Sequence, residues 1–207
     1  TSWSNVTSGY SPYPYGNNNL KGVSFGNNTF VAVGISGEII RSTDYGSSWD
    51  NVTSGVSPYP PIGEYIFKGV AFGNNTFVAV GQSGKIVRST DNGTSFDNAT
   101  NSSSHLYGVS FGNNTFVAVG DHGKIVRSTN YGASWNNVTT GHTPYPYGNN
   151  YLRGITFGNN TFVAVGYTAK IIRSTDNGTS WSNVTSGDSP YPYGSNLLRS
   201  VAFGNNT

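Results

Sequence analysis

The sequence predicts an all-β protein, a β-propeller built from four-stranded antiparallel blades. Two phrases recur along the 207 residues, and successive copies are about 46 residues apart. Each period contains four short segments rich in β-branched and aromatic residues, and Gly, Asn and Asp separate these segments. Four antiparallel strands in a period of about 40–50 residues are typical of one propeller blade.

The first recurrent phrase is "IIRSTDNGTSW" at 171–181, and it ends on an aromatic residue in every copy. The aligned aromatic residues are Trp3, Trp49, Phe96, Trp135 and Trp181, which are 46, 47, 39 and 46 positions apart. The second phrase, "FGNNTF", recurs in step with the first. We therefore expect one propeller over residues 1–207, with four complete blades, parts of a fifth and ragged ends that belong to a longer chain.

The first period predicts strands at 20–26, 29–34, 38–43 and 48–54. "GNN" between the first two strands predicts a tight hairpin, because Gly and Asn tolerate positive φ. "SG" at 36–37 predicts the second turn, and "TDYG" predicts the third. The periods contain no helical pattern, which excludes a solenoid of helical pairs.

The third turn of each blade is expected to be a structural staple. Its Asp accepts hydrogen bonds from backbone N–H groups two residues on, and its Gly supplies a positive φ. Its aromatic residue packs a large apolar ring against the sheet. The staple residues are Asp44, Gly46, Trp49, Asp91, Gly93, Phe96, Asn130, Gly132, Trp135, Asp176, Gly178 and Trp181.

These residues follow the pattern S-x-D-x-G-x-x-W, which resembles the Asp-box, also called the bacterial neuraminidase repeat. The second copy has Phe96 in place of Trp, and the third has Asn130 in place of Asp. The resemblance implies a β-propeller, as in sialidases, sortilin-like receptors and the photosystem II assembly propeller. The phrase "FGNNTFVAVG" looks most like surface propellers of the last, non-enzymatic kind. In this family the box is structural and lies away from the active face, so the resemblance implies no chemistry.

Composition excludes several classes of function. Only 10% of the residues are charged and the formal net charge is +2, so the clustered Lys and Arg of a nucleic-acid footprint are missing. The absence of Cys excludes a disulfide framework, thiolate chemistry and a zinc finger. No apolar run approaches the roughly 20 residues that span a bilayer. No cofactor is expected.

A sialidase-like site would need two differently tuned carboxylates that face one bond. The only glutamates are Glu38 and Glu64, and Asp121 and Asp188 are loop acids with no evident partner. One arginine recurs in each blade, which is the behaviour of a packing residue: Arg41, Arg88, Arg127 and Arg173. The three histidines, His105, His122 and His142, lie far apart without the spacing of metal ligands. We therefore expect a non-catalytic protein without a metal.

The connections between blades carry a Tyr-Pro motif, and they should share one end of the blades with the second turns. Tyr offers a flat ring and a hydroxyl, which suit sugar stacking or a protein interface. The competing interpretation is that these loops fill gaps between blades. The candidate ligand or interface residues are Tyr13, Tyr15, Tyr59, Tyr145, Tyr147, Tyr191 and Tyr193. Beside them, Lys21, Lys68, Arg153 and Arg199, with Tyr107 in the third period, form either a weak basic ring or solvated strand ends.

Thirteen asparagines begin an Asn-x-Ser/Thr triplet, the acceptor pattern for N-linked glycans. The "GNNT" turns are the first candidates because a hairpin turn projects into solvent: Asn27, Asn74, Asn113, Asn159 and Asn205. The fourth strands and the first residues supply Asn51, Asn98, Asn137, Asn183 and Asn5. The turn itself does not require the Thr two residues on, so its presence favours glycosylation and hence an extracellular or cell-surface location.

The leading hypothesis is a non-catalytic extracellular or cell-surface propeller with a structural or interaction role, N-glycosylated and a subunit of a larger assembly or filament. Near-identical blades favour it, because an active site breaks symmetry. The alternative is a multivalent lectin that binds sugars through the Tyr-Pro loops. The expected partners are N-linked glycans with other protein subunits or surface glycans, and neither nucleic acid nor a membrane span in this chain.

Overall fold

The structure is a computed structural model that describes residues 19–52, 66–99, 104–138, 151–184 and 197–204. Within them, four antiparallel sheets each contain four strands in sequential order. The first blade comprises β1 (Leu20–Gly26), β2 (Thr29–Gly34), β3 (Ile39–Ser42) and β4 (Asp50–Asn51). The second comprises β5 (Phe67–Gly73), β6 (Thr76–Gly81), β7 (Ile86–Ser89) and β8 (Asp97–Asn98). The third comprises β9 (Leu106–Gly112), β10 (Thr115–Gly120), β11 (Ile125–Ser128) and β12 (Asn136–Asn137). The fourth comprises β13 (Leu152–Gly158), β14 (Thr161–Gly166), β15 (Ile171–Ser174) and β16 (Ser182–Asn183).

The predicted all-β class and the four complete blades are confirmed. The first two strands of the first blade have the predicted bounds, whereas the last two are shorter than predicted. The fourth strand pairs only through Asp50 and Asn51, because residues 43–49 leave the ladder to form the third turn. That the whole range 1–207 is one propeller stays a prediction.

The first two turns of each blade follow from local sequence. Asn27 and Asn28 have φ of 48° and 57°, and Gly26 pairs with Thr29, so they form a two-residue hairpin with positive φ at both central positions. The second turn is a short 3-10 turn over Ile35–Gly37. Its Ile35 N–H donates to the carbonyl of Asn19 at 3.2 Å. The start of the inner strand and the second turn therefore lie at the same end of the blade, as predicted.

Neighbouring blades pack through their sheet faces, and the four inner strands β1, β5, β9 and β13 lie side by side in that order. Successive side chains of a strand point to opposite faces. Val31, Val33 and Ile39 form what we call the trailing face of the first blade, and it packs on the next blade. The leading face of that next blade consists of Phe67, Phe77, Ala79, Val87 and Phe96. Because each inner sheet is covered on both faces, "TFVAVG" is almost continuously apolar.

A glycine socket repeats at the end of each inner strand. Gly26 lies against the ring of Phe72 in the next blade, and a Cβ at Gly26 would overlap that ring. Gly73, Gly112 and Gly158 face Phe111, Phe157 and Phe203 in the same way. The last pair shows that residues 197–204 lie beside β13 in the position of a further inner strand. Glycine is therefore required here by the close approach of two blades.

We call the third turns the box turns; they span 42–49, 89–96, 128–135 and 174–181. In the first of them, Ser48 N–H donates to Asp44 Oδ1 at 2.9 Å and Ser48 Oγ donates to Asp44 Oδ2 at 2.6 Å. Ser42 Oγ donates to Asp44 at 2.7 Å and accepts from the Gly46 N–H at 2.9 Å. Gly46 has the expected positive φ, 87°. The predicted backbone donor two residues on is wrong: the loop is wider, and the carboxylate reaches the donor four residues on.

The aromatic residue of the box turn both packs and donates a hydrogen bond. The ring of Trp135 lies 6.5 Å from that of Phe116, and its Nε1–H donates to the carbonyl of Gly132 at 3.1 Å. Trp181 makes the equivalent bond to Gly178 at 3.3 Å. Phe96 is equally buried but has no N–H to donate. The structural role predicted for the staple residues is consistent with these contacts.

The box turn also fastens each blade to the one before it, which the sequence did not predict. A Cβ on Gly93 would lie 2.9 Å from Val31 Cγ2 of the first blade. Asn92 Nδ2 donates to Thr29 Oγ1 at 2.6 Å, and Arg41 Nη1 donates to Thr94 Oγ1 at 3.0 Å. The recurrent arginine thus serves packing between blades. We call this set of contacts the interblade latch.

Replacing Asn130 by Asp should stabilise the protein in a pH-dependent way. Hydrogen bonds from Ser48 lower the pKa of Asp44 to about 2 from its ordinary 3.8, and those from Ser180 do the same for Asp176. Asn130 Oδ1 already accepts from the Ser134 N–H at 3.0 Å. With Asn130→Asp, the Ser134 hydroxyl can turn to donate, so we expect a gain of ~0.5–1 kcal/mol.

A depressed folded-state pKa stabilises the protein above the unfolded pKa, so this gain should be complete above about pH 4 and vanish towards pH 2. Thermal unfolding across that range measures it. Asn136→Asp, which adds the same charge on the exposed outer strand β12, is the control and should show no such gain. A gain for Asn130→Asp that does not change with pH would contradict the carboxylate's role.

Candidate functional site

Basic residues meet at the end of the blades where the inner strands begin. The second residue of each inner strand is Lys21, Lys68, Tyr107 or Arg153, and Arg199 is its counterpart in the segment 197–204. Burial lowers the pKa of Lys68, and the positive charges of Lys21 and Arg153 lower it further. Three of the predicted basic positions are therefore close enough to interact, and we call this end of the inner strands the mouth.

Tyr107 replaces the basic residue in the third blade, and there the mouth changes character. Arg153 Cζ lies 3.8 Å from the centre of the Tyr107 ring. It also lies 5.4 Å from the ring centre of Tyr151 and 5.2 Å from that of Tyr167. These distances are those of cation–π contacts. Arg153 Nη2 also donates to the Tyr167 hydroxyl at 3.4 Å.

A buried carboxylate completes the group. The Tyr107 hydroxyl donates to Asp121, which is 7% exposed. Burial and this hydrogen bond raise the pKa of Tyr107 to about 12, although the charge of Arg153 acts in the opposite direction. The sequence expectation that Asp121 has no partner is wrong, because its partner lies one strand away in the sheet. We call Tyr107, Asp121, Tyr151, Arg153 and Tyr167 the mouth cluster.

The mouth cluster retains unused hydrogen-bonding capacity. Asp121 Oδ1 and Arg153 Nε are both buried and have no hydrogen-bond partner within the protein. Buried polar atoms are normally paired, so an acceptor and a donor left unpaired in one cluster require an explanation. The His122 ring lies 5.7 Å from that of Tyr151, at the rim of the cluster. The arrangement can bind a ligand that offers both a donor and an acceptor.

The repeat itself contained the signal for this cluster. At the second turn the other blades have Ile35, Gln82 or Tyr167, and only the third has an acid, Asp121. At the second position of the inner strand, only the third blade has Tyr107. Both departures fall in one blade, next to each other in space. Superposing the periods to find joint departures could have located the site.

The predicted tyrosines of the Tyr-Pro connections cannot be compared with this cluster. They lie outside the described residues: Tyr13, Tyr15, Tyr59, Tyr145, Tyr147, Tyr191 and Tyr193. The residue that follows one of these connections, Tyr151, does lie in the mouth cluster. The prediction that these tyrosines bind a ligand or a partner therefore stays a prediction.

The predicted glycosylation sites are mostly at the surface. Asn27, Asn74, Asn113 and Asn159 are exposed in the hairpin turns, and Asn98, Asn137 and Asn183 are exposed at the ends of the outer strands. Asn51 is half-buried, while Asn5 and Asn205 lie outside the described residues. The Asn27 side chain donates to Asn75 of the next blade at 2.9 Å. Their glycosylation stays a prediction.

The threonines of the same turns have a structural role that the sequence did not reveal. Thr29 is 1% exposed, and its Oγ1 accepts the interblade bond from Asn92. Thr115 is equally buried and accepts from Asn177 Nδ2 at 2.7 Å. The interblade latch therefore explains the threonines without a glycan. The inference from Thr to glycosylation loses its force, although the exposed asparagines remain acceptors.

The described acids do not resemble a pair of catalytic carboxylates. Glu38 is buried, and this burial raises its pKa. Asp44, Asp91 and Asp176 are held within box turns. Among the described residues there is no group of three or more His, Asp or Glu placed to hold a metal. A search of the same residues finds no helix with the length and hydropathy of a membrane span.

Comparison with known proteins identifies the fold. No protein-family model matches the chain, and no curated protein matches it. Among solved structures, YCF48 from Cyanidioschyzon merolae has a TM-score of 0.62 at 19% identity, covering 80% of this chain and 56% of that chain. YCF48 bound to D1 peptide has a TM-score of 0.61 at 18% identity, covering 80% and 55%. An ancestral GH74 enzyme has a TM-score of 0.60 at 21% identity, covering 81% and 26%.

These similarities establish a β-propeller fold for this chain and leave its activity open. The aligned region spans just over half the length of the two YCF48 chains and about a quarter of the GH74 enzyme. Proteins with and without an enzyme's name therefore share the arrangement of blades. Function must be argued from the mouth cluster and not from the fold.

Removing the Tyr107 hydroxyl should destabilise the protein. Tyr107→Phe leaves Asp121 buried without its donor, which costs about 1–3 kcal/mol. Urea unfolding measures the change, and Tyr131→Phe is the control because Tyr131 is 41% exposed. The folded-state pKa of Tyr107 lies above the ordinary 10.0, so the folded protein keeps a proton that the unfolded chain releases. The difference between wild type and variant should therefore shrink as the pH rises from about 10 to about 12. Equal effects of the two substitutions would contradict the proposed hydrogen bond.

Proposed function

We propose that this protein is a non-catalytic interaction propeller that binds an extended segment of a partner protein at its mouth. The observation that carries the proposal is the mouth cluster, the one place in the described residues where neighbouring blades depart together from the repeat. Its unpaired buried atoms, Asp121 Oδ1 and Arg153 Nε, match the donor and the acceptor that every peptide group offers. A partner backbone can therefore satisfy both atoms.

The charges of the mouth favour a segment that carries carboxylates. Lys21, Lys68 and Arg153 place three positive charges around it, and Arg presents a planar fork that suits a carboxylate. The rings of Tyr107, Tyr151 and Tyr167 add apolar surface with polar edges, as at many protein interfaces. One of the structures with this fold, YCF48, is bound to a D1 peptide. That precedent concerns YCF48 and supports peptide binding here by fold alone.

The proposal includes the identity of the box turns and the setting of the protein. We propose that the box turns are Asp-boxes, since their serine, acid, glycine and aromatic residue make the contacts that hold the turn. We also propose an extracellular or cell-surface protein with N-linked glycans, which the exposed turn asparagines and the low charge support. Intact-glycopeptide mass of native material tests this, and bare asparagines at every turn would remove the argument for that location.

A second candidate function is sugar binding, as in a lectin. The observation that favours it is the pair of tyrosine rings at the mouth, Tyr151 and Tyr167, whose centres are 5.1 Å apart. Beside them, the free acceptor Asp121 Oδ1 could accept from a sugar hydroxyl. Rings for stacking and a carboxylate for hydroxyl groups are the usual requirements for binding a sugar. The positive charges of the mouth have no role in binding a neutral glycan, so we place this function second.

Binding of labelled peptides distinguishes these functions. The probes are a 12-residue peptide with alternating Asp and Tyr and its counterpart with Lys for Asp, measured by fluorescence anisotropy, together with a glycan array. We expect the acidic peptide alone to bind, with an affinity that falls as salt increases. Arg153→Gln should weaken binding about tenfold or more, since a charge-assisted bond contributes roughly 1.5–3 kcal/mol.

The matched control is Lys124→Gln, which removes the same charge at the start of β11, two strands from the inner strand. It should bind the acidic peptide as wild type does. Saturable glycan binding that Asp121→Asn abolishes, without peptide binding, would instead establish the lectin. Equal binding of both peptides, or equal effects of Arg153→Gln and Lys124→Gln, would overturn the proposed site.

A further inference from the structure

The first blade presents an apolar face that its counterparts bury. Leu20 is 45% exposed, whereas Phe67, Leu106 and Leu152 at the same position are at most 1% exposed. Val23 and Phe25 are 61% and 48% exposed on the same strand. The box turn of this blade is also uncovered, since no atom lies within 4 Å of a Cβ built on Gly46. These residues form the leading face of the first blade, the face that each later blade packs against its predecessor.

The fourth blade presents the opposite half of the same interface. Val163 and Ile171 are only half-buried, although Val31 and Ile39 at the same positions are completely buried. Arg173, the counterpart of the latch residue Arg41, is exposed. In the neighbouring segment, Gly204 occupies the socket position, yet a Cβ built there would meet nothing within 4 Å. This trailing face therefore lacks the ring and the box turn that cover the other trailing faces.

We propose that the two faces bind each other between copies of this chain, in a head-to-tail assembly. Phe25 of one copy would enter the Gly204 socket of the next, as Phe72 enters the socket at Gly26. The box turn of the first blade would then dock on Val163 and Arg173, as the box turn at Gly93 docks on Val31 and Arg41. The occupant is a second copy because this interface already forms three times within the chain, in one register and from the same residue types.

The polar groups of the two faces match as well as the apolar ones. Arg41 donates to the hydroxyl of Thr94, and the corresponding residue of the first box turn, Ser47, also carries a hydroxyl for Arg173. Such contact is heterologous: it uses two different surfaces of each copy, so it either closes into a ring or continues as a filament. Two copies contribute eight complete blades, which is within the range of known propellers. This inference does not depend on the proposed peptide binding.

Light scattering of the 207-residue chain during gel filtration tests the assembly. We expect a mass of at least twice the 22.0 kDa of one chain, increasing in proportion as concentration rises. Phe25→Asp on the leading face and Val163→Asp on the trailing face should each give monomers. A mixture of these two variants should recover a dimer, because each retains the face that the other has lost. Arg173→Glu, at an exposed position, should weaken assembly without affecting folding.

Asn136→Asp adds one negative charge on the outer strand β12, away from both faces, and should assemble as wild type does. Circular dichroism and thermal unfolding verify that each variant is folded. A wild-type monomer at every concentration would overturn the proposal, as would failure of the mixed variants to pair. A monomer that Phe25→Asp destabilises would also overturn it, since the chain's own residues would then cover the face. Arg153→Gln should leave assembly unchanged, so the failure of one proposal is distinguishable from that of the other.

Discussion

The close contact between successive blades is the constraint on which the rest of this structure depends. Each blade has a sheet covered on both faces, and its inner residues are buried only because a neighbouring blade lies against them. A single blade would leave large apolar surfaces on both sides in water, at a cost of roughly 25 cal/mol per Å². The glycine socket fixes how close two inner strands can come, and the interblade latch fixes how the outer parts are rotated.

Local sequence was sufficient to predict the strands and turns, but not the contacts between blades. The pair Asn27 and Asn28 favours a hairpin through its own tolerance of positive φ, so that turn was predictable. The bond from Asn92 to Thr29 joins residues 63 positions apart, and nothing in either residue indicates the other. For the same reason Thr29 was interpreted as part of a glycosylation acceptor. The width of the box turn was also missed, because the Asp rotamer and not the residue type decides which N–H it reaches.

The mouth cluster shows how a repeat protein can acquire a site without losing its fold. Tyr107 and Asp121 occupy positions that tolerate Lys, Ile or Gln in other blades, because they lie at the end of the sheet beyond the socket and the latch. Their hydrogen bond and the stacking of Arg153 place polar atoms in a buried setting where an external ligand can pair with them. The apolar faces of the third and fourth blades remain those of the other blades, so the cluster adds a site to an unchanged packing scheme.

The importance of contact between blades is most directly tested with two glycines of identical local structure. Gly46 and Gly93 occupy the same position of a box turn with φ of 87° and 79°, but only Gly93 faces a preceding blade, with Val31 2.9 Å from its would-be Cβ. Urea unfolding of Gly46→Ala and Gly93→Ala, at a concentration where the chain is monomeric, compares them. Both should lose about 1 kcal/mol to the strain of a positive φ. Gly93→Ala should lose a further ~1–3 kcal/mol to overpacking. Equal losses would contradict the account, because they would show that the interblade contact contributes little to stability.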